Sequence, residues 1–171
     1  MMTPFYVLTT VFSYLVANAS VALQLVGSWF TFKKMGLPGW KGLIPYYSMY
    51  VLFEKLWDKK QFWRTIVYLI IYTCTLSFGY ILLTIAIVML ASGSSQAPGI
   101  IFLILGVLFL IAFIVFLILT FVIEFKLYKK LAHAFGLKDA WAWGLLFIPC
   151  VMLPIIGFHK NITYYGPINQ V

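Results

Sequence analysis

Acidic groups are scarce in this chain: Glu54, Asp58, Glu124 and Asp139 are the only four in 171 residues, against twelve Lys and Arg. Charged residues of both signs make up 9% of the sequence, which excludes the polar surface of a soluble globular domain. His133 and His159 lie far apart, Cys74 and Cys150 each lie inside an apolar run, and no CxxC pair occurs. A metal site and a disulfide framework therefore have little to stand on, and no cofactor is expected. No phosphate-cradling Gly loop is present. No Pro/Ser/Gly linker or low-complexity segment divides the chain, so residues 1–171 read as one domain.

What is present is apolar: 64% of residues are hydrophobic and 19% aromatic. That composition predicts an all-α polytopic integral membrane protein. The net charge of +8 does not point to nucleic acid, because the Lys and Arg sit in short clusters beside long apolar runs. Such clusters follow membrane topology and meet anionic lipid headgroups. Four transmembrane helices are predicted, at about 5–32, 65–91, 99–124 and 140–158, given the roughly 20 residues a crossing needs. The last run is short and contains Pro149 and Pro154; it is expected to cross, with a re-entrant segment as the alternative. Ala17-Asn18-Ala19 resembles a signal-peptide cleavage site, but the preceding residues carry no Lys or Arg and the apolar run continues past it, so a retained first span is expected.

The stretch from Gly36 to Trp63, with Lys33, Lys34 and Arg64 at its edges, holds seven of the twelve basic residues. It is too charged to cross a bilayer and too aromatic to leave it. An interfacial amphipathic helix is predicted at about 40–60, with Pro45 opening it, and a second at about 126–136, stopped by a left-handed cap at Gly136. Trp40, Lys41, Lys55, Lys59, Lys126, Lys129 and Lys130 are the candidate contacts to anionic headgroups. Because both Lys-rich loops go inside, the N-terminus and the neutral 92–99 turn are expected outside, in the cell membrane. The C-terminal tail joins them if 140–158 crosses, which would put His133 and His159 on opposite sides.

At 100° per residue, Ser13, Ala17, Ser20, Gln24, Gly27, Ser28 and Thr31 share one small, polar face of the first span. Thr73, Ser77, Tyr80 and Thr84 form a hydroxyl face on the second. Ser13, Ser20, Gln24, Thr73, Ser77 and Glu124 are accordingly the candidate helix seam or solute path. Glu124 is an acid at the end of a long apolar helix, where pairing with Arg64 or Lys126 competes with a binding or coupling role. Glu54 and Asp58, at i and i+4, read as charge balance beside Lys55 and Lys59.

Gly39-Trp-Lys-Gly-Leu-Ile-Pro-Tyr-Tyr47, Lys129-Lys-Leu-Ala-His-Ala-Phe-Gly-Leu137, Gly144-Leu-Leu-Phe-Ile-Pro149, Leu153-Pro-Ile-Ile-Gly-Phe158 and Tyr164-Tyr-Gly-Pro167 form an ordered set. The set resembles a family of small bacterial multi-spanning membrane proteins of unknown function, over roughly residues 36–167. The resemblance implies a helical membrane fold. Members sometimes carry a signal-peptidase label, and Ser48-Met49 has the local sequence such an enzyme uses. A Ser nucleophile needs a base within hydrogen-bond reach, and the lysines near Ser48 belong to the charged inner loop, so that activity is not expected.

The sequence therefore predicts a non-enzymatic accessory or interaction subunit of a membrane complex, its partners being lipid and another membrane protein or a second copy of itself. A small transporter or lipid-handling channel is the rival class, and a membrane-embedded enzyme the third.

Overall fold

The computed structural model describes residues 4–93 and 96–167; Ser94 and Ser95 of the expected 92–99 turn lie outside the described residues. Every regular element described is helical: α1 (Pro4–Lys34), a 3-10 turn (Gly39–Gly42), α2 (Pro45–Leu56), α3 (Lys59–Ala91), α4 (Gln96–Ala134), α5 (Ala140–Phe147) and α6 (Pro149–Phe158). Three of these, α1, α3 and α4, are long and apolar enough to cross a membrane. At about 1.5 Å per residue they run roughly 46 to 58 Å, well beyond a hydrocarbon core of about 30 Å.

Two expectations about element boundaries fail. The segment 126–136 is not a separate interfacial helix but the last turns of α4, which continues unbroken for 39 residues. A change from apolar to amphipathic composition does not end a helix; a residue that turns into the left-handed region does, and here that is Gly136 at φ +68°. The predicted fourth span is split at Ile148 into helices of 8 and 10 residues. Ile148, at φ −133°, ψ 58°, lies outside the helical region that a following proline disfavours, and Pro149 starts the new helix. Neither piece reaches half of the hydrocarbon thickness by much, at roughly 12 and 15 Å.

The chain divides into two compact units, residues 1–59 with 125–171, and residues 60–124. The second unit is an antiparallel pair made by α3 and α4. Tyr68 lies against Phe116, Tyr72 against Phe113 and Phe78 against Phe109, at ring separations of 5.8, 6.0 and 6.1 Å. Gly79 and Gly106 let the two backbones approach there.

The first unit is built from two turns of one design. α1 ends at Gly36 (φ +71°) and α4 at Gly136 (φ +68°). Gly36 N donates to Lys33 O and Leu37 N to Phe32 O, while Gly136 N donates to His133 O and Leu137 N to Ala132 O. Both are Schellman caps, which satisfy carbonyls that the helix end leaves open. In each case a Trp follows, then Gly-Leu, then Ile-Pro opening a further helix: Trp40, Gly42-Leu43 and Ile44-Pro45 before α2, Trp141, Gly144-Leu145 and Ile148-Pro149 before α6. Phe53, Leu127, Leu131, Leu145 and Ile156 are the largest apolar side chains fully buried in this unit.

α6 packs on the last third of α1. A Cβ on Gly27 would meet Pro154 N and Cδ at 2.4 Å, and one on Gly157 would meet Phe30 Cβ at 2.9 Å. Thr31 Oγ1 donates to Leu153 O at 3.2 Å. Lys34 Nζ donates to three carbonyls, Ile156 O at 2.8 Å, His159 O at 2.7 Å and Ile162 O at 3.0 Å. Beyond this, Tyr165 N donates to Ala134 O at 2.8 Å and the Tyr164 ring meets Phe135 at 5.4 Å. The apolar run that leaves the end of α4 thus returns to the ends of α1 and α4. The end of α6 therefore lies beside the end of α1, and residue 165 beside the end of α4.

Candidate functional site

Two features concentrate chemistry, one in each unit, and a basic rim adjoins the first. On α1, the face at 100° per residue that includes Ser13, Ala17, Ser20 and Gln24 also takes in Thr9 and Thr10. Thr9, Thr10, Ser13, Tyr14 and Ala17 line a groove of about 400 Å³. The Ser and Thr hydroxyls are satisfied on their own helix: Thr10 and Ser13 donate to Tyr6 O and Thr9 O, and Ser20 to Val16 O, at 2.6 to 2.8 Å. Bonded this way, the side chains are compact and make no demand for water. Ser13, Ala17 and Gln24 are exposed and Ser20 half-buried. Further along the same face the surroundings change: Gly27, Ser28 and Thr31 are buried, Gly27 and Thr31 against α6 and Ser28 against Gly42 of the 3-10 turn.

The candidates on the second span lie on α3. Thr73 donates to Leu69 O and Ile70 O, and Ser77 to Thr73 O, all at 2.9 Å, and both residues are exposed.

Glu124 lies within α4, half-buried, in a recess of about 160 Å³ lined also by Tyr72, Leu117, Thr120 and Phe121. Thr120 Oγ1 donates to Phe116 O at 2.9 Å, so its hydrogen is not directed into the recess. Among the described residues no ion pair forms at Glu124. Arg64, the expected partner, instead reaches Gln61 Oε1 at 3.5 Å.

The basic rim is partly neutralised. Lys59 pairs with Glu54 at 2.6 Å, and Lys129 with Asp139 at 2.8 Å, where the His133 ring also meets the carboxylate. Lys129 and then His133 hold the Asp139 carboxyl below its usual range. Lys41 lies over Trp40 at 6.0 Å, Trp40 stacks on Tyr47, and Lys130 lies over Trp57 at 5.4 Å. Lys55 and Lys126 are exposed. The Tyr164 hydroxyl is buried without a hydrogen-bond partner among the described residues, and burial pushes its phenol up. Among the described residues, no group of three or more His, Cys, Asp or Glu is placed to hold a metal ion.

The residue that sequence reasoning passed over is Lys34, whose ammonium fastens the C-terminal segment. One signal was available, the doubled Gly-Leu, Trp, Gly-Leu, Ile-Pro order of 36–45 and 136–149, which marks two equivalent helix ends. No protein-family model, curated protein or solved structure matches the chain.

Proposed function

We propose that the chain is a multi-pass membrane protein acting as a non-enzymatic interaction subunit, and that it offers the N-terminal two-thirds of α1 to a helix of another membrane protein or of a second copy. The observation that carries this reading is the continuity of the α1 face. Its last third, Gly27 to Thr31, is a packing surface filled by α6. Its earlier part, Thr9 to Gln24, has the same small and hydroxyl-bearing composition and stays exposed except at Ser20. Apolar side chains gain nothing by leaving lipid for a neighbouring helix, whereas small residues allow close approach and dispersion contact. In this reading the Lys-rich ends, 33–64 and 126–160, face the cytoplasm and the N-terminus lies outside, with three crossings and a re-entrant α5–α6 pair.

A photo-crosslinking residue placed singly at Ser13, Ala17 or Leu15 tests it in native membranes. Ser13 and Ala17 should each give a discrete adduct, and Leu15, on the opposite side of the helix, should not. Ala17→Leu should abolish the Ser13 adduct by filling the groove. Equal labelling from both sides, or none from either, refutes the reading. The recess at Glu124 favours the second reading, a small transporter. At about 160 Å³ it is smaller than the roughly 300–1,000 Å³ of most small-molecule sites, which weighs against that class.

A further inference from the structure

Glu124 is the acid that the interaction reading leaves without a use. It sits within α4 two residues before Lys126, the first base after the long apolar stretch of that helix, and so near the boundary between hydrocarbon and headgroups. A carboxylate at that depth is costly unless a cation or hydrogen-bond donors face it. Among the described residues no ion pair and no hydrogen bond forms at its carboxylate: Arg64 turns to Gln61, Thr120 directs its hydrogen to Phe116 O, and the Tyr72 hydroxyl, though Tyr72 lines the recess, makes no bond to it.

The lining specifies the missing partner. Glu124 contributes two acceptor oxygens, Thr120 has lone pairs left, and Tyr72 and Phe121 contribute aromatic rings. Acceptors and ring faces together suit a cation. A recess of about 160 Å³ suits a small one, and the acceptors favour one that carries N–H donors over a methylated ammonium that has none.

We propose that the Glu124 recess binds a primary ammonium group, supplied by the ethanolamine headgroup of phosphatidylethanolamine in the adjoining leaflet. The same chemistry could come from a soluble amine, and the experiment separates the two sources. This inference does not depend on the α1 interaction: crosslinking at Ser13 and amine binding at Glu124 can each fail alone.

The full chain is purified in detergent, delipidated, and supplied with micelles doped with phosphatidylethanolamine, phosphatidylcholine or phosphatidylglycerol, or with free ethanolamine. Retained lipid is counted by native mass spectrometry and stability followed by thermal melting. Phosphatidylethanolamine should be retained at least tenfold better than phosphatidylcholine and should raise the melting temperature most. Glu124→Gln should remove that preference. Phe121→Leu, which keeps the carboxylate and an apolar side chain, should reduce it, and it serves where the Gln variant does not fold. Stabilisation by free ethanolamine equal to that by the lipid would assign the ammonium to a soluble amine and keep the chemistry of the site. Equal retention of ethanolamine and choline lipids overturns the proposal, as does an undiminished preference in a folded Glu124→Gln protein. Co-purification of a second protein whose Lys or Arg crosslinks to Glu124, in place of lipid, also overturns it.

Discussion

Replacing Gly27 by Ala adds one methyl group at the closest approach of α1 and α6. The new Cβ would lie 2.4 Å from Pro154 N and Cδ and 2.7 Å from Leu153 C. Carbon atoms in good contact are about 3.5–4.0 Å apart, so α6 must move by about 1 Å or more. Two of the obstructing atoms are backbone, and the third belongs to a proline ring fused to it; none swings aside as the end of a flexible side chain would. Overpacking of this kind typically costs about 1–3 kcal/mol, and the top of that range applies where backbone must shift. Ala is the better helix former by about 1 kcal/mol, which offsets part of the loss. A net destabilisation of about 2 kcal/mol is expected, a fall of about 4–8 °C in melting temperature for a chain of this size. Gly79→Ala is the control, because its Cβ would sit 3.3 Å from Phe109 Cβ and 3.4 Å from Gly106 O, an overlap far smaller than at Gly27, and the propensity gain should leave it near neutral. Melting of the two variants in the same detergent decides the matter. If Gly27→Ala melts at or above the parent protein, α6 does not pack on α1 at this point.

Lys34→Met keeps the length of the side chain and removes three charge-assisted bonds; it should destabilise by about 2 kcal/mol or more, and limited proteolysis should cut first after residue 158. Because α5 and α6 return to the end from which they leave, a Cys placed at Lys160 in a Cys-free background should be protected from an impermeant maleimide that labels a Cys at Ser94; labelling of both would mean that 140–158 crosses. Asp139 titrates below its usual range when folded, so its contribution is complete above the unfolded value near about 3.9 and is lost as pH falls through the lower folded one. Asp139→Asn should therefore lower stability at neutral pH and flatten the acid limb of a plot of melting temperature against pH; an unchanged limb would show that the contacts to Lys129 and His133 contribute nothing.

The parts of the fold legible in sequence were those fixed by local chemistry. Gly136 and Pro45 act within a turn of themselves, through φ and a missing N–H, and both sit where their chemistry places them. The three long spans follow from uninterrupted apolar length. The apolar run 140–158 was not legible in the same way, because a short crossing and a hairpin have the same composition. In the structure the run forms two short helices, and a lysine more than 120 residues earlier bonds the end of the second. The α1 face was visible as periodicity, but periodicity does not show which third of a stripe is covered. Glu124 was visible as an acid in an apolar helix, and its pairing with Arg64 was a reasonable expectation from charge alone. The guanidinium finds a side-chain acceptor three residues away on its own helix instead.

The three bonds of Lys34 also set a timetable. Its farthest acceptor, Ile162 O, follows it by 128 residues. A ribosome adding about 5–20 residues per second needs roughly 6–25 s to cover that distance. During this interval α1 is synthesised and its basic end has no carbonyls to grip, and the groove that receives Pro154 and Gly157 stands open. The end of the first helix is therefore among the last parts of the protein to be finished, and any factor that attends the nascent chain meets it in that unlatched form.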